Sequence, residues 1–259
     1  MNATDAWDPG QYKRFREERQ AQFYDLLKLV HPKRAMRIVD LGCGTGELTR
    51  ELHRHFKAAS TLGLDSSPAM LDRTRELSEP GLSFQKRDIA SFDDDGAFDL
   101  VLSNAALHWV PDHREVFARL TRAIAAGGQL AVQMPANQDH PSHTVAEELA
   151  KEPPFVAKLG GEGARQHVLP VEQYGRLLAQ LGFRAQSVRV QVYVHKLPSK
   201  DGVVEWVKGA MLTDFKKRLD DDLLYAKFLE EYRLRLLSRL DDDKPYLYTF
   251  KRILLWAER

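Results

Sequence analysis

The sequence predicts an α/β fold: a mostly parallel sheet of seven strands, helices on both faces and a helical cap. Two observations carry this. Apolar runs of strand length alternate with amphipathic helical stretches from about residue 35 to residue 135, the pattern of a parallel sheet covered on both sides. A glycine-rich turn, Gly42-Cys43-Gly44-Thr45-Gly46, then joins the first strand to the first crossover helix, and Asp65 follows nineteen residues after Gly46. Strand, glycine turn, helix and an acid at the end of the next strand describe a nucleotide-binding crevice.

Residues from about Gln11 to Val30 carry a helical pattern closed by Pro32. Strands are expected at Ala35–Leu41, Ser60–Leu64, Leu82–Lys86, Phe98–Ser103 and Gln129–Gln133, with helices near Glu47–Phe56, Pro68–Leu77 and His113–Ala125. Gly127-Gly128 reads as the cap that ends the last of these helices. After Met134-Pro135 the rhythm changes. A short helix near Thr144–Lys151, a helix near Val171–Leu181 and a strand around Ser187–Leu197 lead to a helical block, Lys200–Leu240, broken at Asp220-Asp221-Asp222. A last strand is expected near Tyr248–Ala257. The expected organisation is a cofactor-binding core over 1–135, headed by a lid helix, with 136–259 completing the sheet. Inserted at about 200–240, a helical block would cap the carboxyl ends of the strands, all within one compact unit.

The composition narrows the classes of function. A net charge of +1 over 259 residues gives no global field for nucleic acid. The single cysteine fits a reducing compartment rather than a disulfide framework. No apolar stretch approaches membrane-spanning length. The expectation is a cytoplasmic protein that binds neither nucleic acid nor membrane, with the oligomeric state open and a monomer favoured.

The glycine spacing then selects the ligand. A dinucleotide fingerprint needs Gly-x-Gly-x-x-Gly to grip a pyrophosphate, whereas this turn is Gly-x-Gly-x-Gly with Asp40 just before it. Further residues fall at crevice positions. Asp65 is placed to accept ribose hydroxyls, with Ser66 and Met70 beside it. Asp88 is placed for an adenine amino group, with Ile89 packing on the ring. Asn104, Ala105 and His108 would line the remainder, and Asp40 would face an ammonium. Cys43 reads as a small residue packed in a tight turn, since no basic partner lowers its thiol pKa.

These residues resemble the class I S-adenosylmethionine (SAM) methyltransferases. More narrowly, the chain is similar to the trans-aconitate 2-methyltransferase family. That likeness is carried by Trp7-Asp8-Pro9 with Tyr12, Phe15, Glu18 and Arg19; by Asp40–Gly46; by Gly63-Leu64-Asp65-Ser66-Ser67-Pro68-Ala69-Met70; by Asn104-Ala105 with Trp109, Pro111, Asp112 and His113; and by Leu130–Pro135. The resemblance implies a Rossmann-like fold and methyl transfer from SAM to a carboxylate of a small organic acid, leaving S-adenosylhomocysteine (SAH). It also implies substrate contacts from Trp7, Tyr12, Phe15, Arg19 and Trp109. The chain departs from the family pattern at Met211–Phe215 and at Ala136.

No general base is required for a carboxylate acceptor. If the acceptor were instead a hydroxyl, amine or carbon of another small molecule, His108 is the candidate to take its proton. No metal is expected: His140 and His143 read as surface histidines in a loop, and Lys216-Lys217-Arg218 as a solvated face.

Overall fold

The computed structural model describes residues 16–259, and side chains from Gln20 onward. Trp7, Tyr12 and Phe15 lie outside the described residues. Arg19 is described only as backbone of the first helix.

Seven strands form one sheet in the order β3-β2-β1-β4-β5-β7-β6. The strands are β1 (Arg37–Leu41), β2 (Ser60–Asp65), β3 (Leu82–Lys86), β4 (Phe98–Asn104), β5 (Ile124–Pro135), β6 (Ala185–Leu197) and β7 (Tyr246–Glu258). Strands β1 to β5 pair in parallel, whereas β7 runs antiparallel to β5. The chain winds outward from β1 to β3 and then returns to place β4 on the other side of β1. That reversal opens a crevice beyond the carboxyl ends of β1 and β4, where open α/β sheets bind their ligands.

The chain divides into two compact units. The sheet unit comprises Glu17–Ala136, Gln166–Gln191 and Arg252–Arg259. On one face, α1 (Arg16–Leu27) and α2 (Glu47–Phe56) bury Phe23, Leu26, Leu52 and Phe56 against Ile38, Leu100, Leu102, Ala131 and Trp256. After α3 (Pro68–Leu71), α4 (His113–Ala123) covers the other face with α7 (Val171–Gln180), around Val39, Val101, Val132, Ile253 and Leu255. Residues of one strand thus serve opposite cores in alternation, as the period of two requires.

Two expectations about local structure are corrected here. Gly127-Gly128 does not cap α4, which ends at Ala123. The pair lies within β5, next to a register irregularity against Phe98–Leu100. A Cβ on Gly128 would stand 2.7 Å from Ile124 and 3.0 Å from the Ala125 carbonyl, so glycine permits the tight path. The helix expected over Pro68–Leu77 is only one α-turn, Pro68–Leu71, followed by a 3₁₀ segment at Asp72–Leu77.

The helical unit includes Asn137–Arg165 and Val192–Lys251. Its helices are α5 (Pro141–Leu149), α6 (Val156–Leu159), α8 (Asp201–Lys208), α9 (Leu212–Leu219) and α10 (Asp222–Arg239). Asp220 adopts φ 47° after α9, and Asp221 caps α10 by accepting from the Leu224 N–H at 2.9 Å. The acidic triplet therefore works as helix punctuation. Phe155, Phe215, Phe228, Trp206 and Tyr232 fill the interior.

Arg218 and the two histidines are not surface residues. The Arg218 side chain is 9% exposed and donates to the Leu159, Glu162 and Gly163 carbonyls and to Asp214. It adds a donor to the carbonyls at and just beyond the end of α6, while Lys216 and Lys217 are exposed. His143 is buried and His140 half-buried around Ser142, whose Oγ lies 3.1 Å and 2.9 Å from their Nδ1 atoms. Burial pushes the pKa of His143 down to about 3 and that of His140 to about 4. Among the described residues no cluster of histidine, cysteine or acidic side chains could hold a metal ion.

Candidate active site

The site begins at the end of β1. Asp40 is 4% exposed, and the Thr49 hydroxyl of α2 donates to its Oδ2 at 2.6 Å. Burial raises its pKa to about 6, against the opposing hydrogen bond from Thr49. An anion held this far from water gains from any cation brought beside it.

The next residues turn the chain across the strand ends. The Gly42 and Cys43 N–H groups both donate to the Leu64 carbonyl, at 2.8 and 2.9 Å. Gly42 has φ +80°, and a Cβ there would stand 2.1 Å from Ala106 Cβ and 3.6 Å from Ile89 Cδ1. Three segments distant in sequence therefore meet at this glycine. Gly44 differs: its φ is +56°, but a Cβ would meet nothing within 4 Å. Open space beside a left-handed glycine is where a ligand can approach the backbone. Gly46 heads α2. Cys43 is buried, and desolvation with Asp40 and Asp65 nearby drives its thiol pKa far above the ordinary value. It is therefore packed as an inert residue.

Asp65 ends β2 with its carboxylate held in place. Oδ2 accepts from the Gly44 N–H and Oδ1 from the Ser67 N–H, each at 2.8 Å. A carboxylate at the end of a strand can accept from vicinal hydroxyls. Ser66 beside it is exposed, and Met70 is buried. Asp88 follows β3, is exposed and caps a short 3₁₀ turn by accepting from Ala90 N–H at 2.9 Å. Ile89 packs at the edge of the apolar core.

Beyond β4, Ala105 adopts φ 55° and its N–H donates to the Gln133 carbonyl at 2.9 Å. Among the described residues, buried Asn104 Oδ1 has no hydrogen-bond partner, and neither do Oε1 and Nε2 of Gln133, its register partner on β5. Leaving such groups unpaired costs about 1–3 kcal/mol each, a cost that a polar ligand in this corner would relieve. His108 is buried in the following 3₁₀ turn, its ring 4.6 Å from that of half-buried Trp109. His113 braces that turn: Nε2 lies 3.0 Å from the Leu107 carbonyl and Nδ1 2.6 Å from the Tyr174 hydroxyl.

The expected cofactor residues thus gather at the carboxyl ends of β1 to β4 in one unit. Sequence reasoning missed Thr49 and Gln133 as site residues. A glutamine ending the apolar run Leu130-Ala131-Val132 is the signal that could have found the second.

Comparison with known proteins follows the same line. A family model described as a methyltransferase domain matches residues 38–128, from β1 through the start of β5. The chain is 41% identical to a trans-aconitate 2-methyltransferase of Deinococcus radiodurans, with 98% of each chain covered. It is 39% identical to a protein of the same name from Methylobacterium nodulans, again over 98% of each.

The chain belongs to the trans-aconitate 2-methyltransferase family.

It is a SAM-dependent methyltransferase. The fold agrees with a solved SAM-dependent methyltransferase from Mesorhizobium loti, at TM-score 0.53 and 22% identity over 92% of this chain and 98% of that one. Among the described residues of this family member, no helix is long and apolar enough to cross a membrane.

Proposed function

We propose that the enzyme methylates a carboxylate of trans-aconitate or a closely similar small polycarboxylic acid, giving a methyl ester and SAH. The observation that carries this reading is the extent of the likeness. Identity of 41% runs over 98% of the chain, well beyond the methyl-donor domain at 38–128, so it includes the segments that shape an acceptor site.

When bound, SAM supplies an electrophilic methyl group on a sulfonium. Asp65, fixed by two backbone amides, accepts the ribose hydroxyls, and Asp88 takes the adenine amino group with Ile89 beneath the ring. Asp40 faces the ammonium of the methionine moiety, and the open space at Gly44 admits that moiety against the backbone. Ser66 and Met70 flank the ribose. Asn104, Ala105 and His108 line the far side, with Trp109 toward the acceptor. Trp7, Tyr12, Phe15 and Arg19 contribute to acceptor binding on the strength of the family resemblance. A carboxylate has a pKa of about 4 and is ionised at neutral pH, so no residue needs to remove a proton. The chain's work is then alignment and exclusion of water, and orientation supplies up to roughly 7–11 kcal/mol. His108 serves as a wall residue. One buried cysteine without a disulfide fits action in the cytoplasm.

The test is SAH release with trans-aconitate, with mass detection of the methyl ester, on wild type and His108→Ala. Turnover of trans-aconitate by both proteins is expected, with the loss in His108→Ala falling on KM for SAM. Turnover of phenolic or amine acceptors alone, lost by about 10²–10⁴-fold in His108→Ala, overturns the carboxylate reading in favour of a base-assisted one.

A further inference from the structure

Helices α4 and α7 cover the same face of the sheet unit, and a cavity of about 300 Å³ opens between them, lined by Arg114, Gln173, Arg176 and Gln180. Arg114 is the second residue of α4. Gln173, Arg176 and Gln180 are spaced three and four apart on α7 and so form one stripe along it. Tyr174, Leu177 and Leu178 of the same helix turn into the core. Two rungs between the helices fix the cavity's upper end. The inner rung is buried: His113 Nδ1 lies 2.6 Å from the Tyr174 hydroxyl, which also accepts from the Leu169 N–H at 3.0 Å. The outer rung uses the adjoining residue of each helix, with Arg114 Nη2 donating to Gln173 Oε1 at 3.3 Å. None of the four lining residues is among those gathered at the carboxyl ends of β1 to β4.

The lining is rich in donors and holds no acid. Among the described residues no carboxylate pairs with either guanidinium. Glu115 is taken by Arg119 at 2.6 Å, and Glu172, four residues before Arg176, makes no ion pair with it. The remaining arginine of α4, Arg122, is held by Asp93 at 2.9 Å. Arg114 and Arg176 are thus the two arginines of these helices without an anion, and both face one cavity. Gln173 gives its oxygen to Arg114, which leaves its amide NH₂ as a further donor. Two planar forks and an amide NH₂ around one space match a ligand with two acidic groups, because each fork suits a carboxylate or a phosphate. The volume is at the small end of ligand sites. A net charge of +1 supplies no basic stripe for a nucleic acid, so the occupant that fits is a small molecule.

We propose that the cavity between α4 and α7 is an accessory site for a small polyanion, a molecule whose two carboxylates or phosphates bridge Arg114 and Arg176. Such a ligand adds a third tie between two helices that His113 and Tyr174 already join. It binds only where those helices are packed together, so its occupancy stabilises the folded protein.

The experiment is calorimetric titration of SAH-loaded protein with inorganic pyrophosphate and, separately, with citrate, at low ionic strength. Wild type, Arg114→Gln and Arg176→Gln are compared, with Lys217→Gln on the exposed side of α9 as a control. The two arginines are exposed, so the variants fold, and SAH affinity within about twofold of wild type checks this. Expected is saturable binding of at least one probe to wild type, with a rise in melting temperature. That binding weakens by about tenfold or more in each arginine variant and stays within about twofold in Lys217→Gln. Binding of pyrophosphate alone assigns a phosphate-bearing ligand and binding of citrate alone a polycarboxylate; either supports the site. Equal weakening in Lys217→Gln means diffuse charge attraction and overturns it. Binding that survives both arginine substitutions places the probe elsewhere and overturns it too, as does the absence of saturable binding by either probe.

Discussion

Replacing Gly44 by alanine separates the glycine that shapes the turn from the glycine that leaves room for a ligand. Both Gly42 and Gly44 sit at positive φ, where a Cβ costs about 1–2 kcal/mol. At Gly44 that is the whole cost to the protein, because the added Cβ would meet nothing within 4 Å. At about 2–4 °C per kcal/mol for a chain of this size class, Gly44→Ala should melt about 2–8 °C below wild type. At Gly42 the new Cβ would stand 2.1 Å from Ala106 Cβ. Overpacking adds about 1–3 kcal/mol, giving about 2–5 kcal/mol in total with the φ penalty. Ala106→Gly in the same chain should recover the overpacking part and leave the φ penalty, a coupling measurable by a double-mutant cycle. The decisive assay is SAH titration of each variant that folds. Gly44→Ala is expected to bind SAH at least 30-fold more weakly despite its small loss of stability. Wild-type affinity in Gly44→Ala would refute the reasoning, because the space beside Gly44 would then not be the cofactor's.

Two further predictions rest on buried charges. Asp40 has a folded pKa of about 6 against about 3.9 unfolded, so between those values the folded state binds a proton that the unfolded state releases. Its contribution therefore destabilises the cofactor-free protein as pH rises from about 4 to 6, by on the order of 3 kcal/mol. Asp40→Asn should abolish that part of the pH dependence in denaturant titrations. Buried His143 contributes a slope of opposite sign in both proteins and cancels in the difference. SAM affinity should fall as pH drops through about 6 in wild type and not in Asp40→Asn; an unchanged wild-type profile would count against the ammonium contact. Arg218→Ala takes the guanidinium from Asp214, which keeps the Arg165 N–H, and from three carbonyls, of which Leu159 keeps the Glu162 N–H, and should cost about 3–5 kcal/mol in urea denaturation. A loss under 1 kcal/mol would mean that water replaces the guanidinium freely.

Most of the fold was legible because its determinants are local. The alternation of strand and helix periods located β1 to β4 to within a residue or two. The glycine turn and the acid after β2 identified the crevice, since positive φ and strand-end carboxylates are demands on neighbouring residues. Errors came where local signals compete. Gly127-Gly128 reads as a helix cap, yet the pairing of β5 with β4 takes those residues into the strand. Arg218 reads as part of a basic run, yet α6, some sixty residues away, ends beneath it. His140 and His143 read as loop histidines, yet the packing of α5 against α10 buries the segment that holds them.

The sequence by itself determined the fold class, the glycine-lined turn, the methyl-donor class and the positions of Asp40, Asp65, Asp88 and Asn104. Only the tertiary structure decided the environments: that Asp40 is buried and reluctant to ionise, that Gly44 faces open space while Gly42 faces Ala106, and that Gln133 stands opposite Asn104. Period, turn chemistry and strand ends are properties of contiguous residues. Burial, pKa and an unpaired amide depend on what distant segments bring alongside.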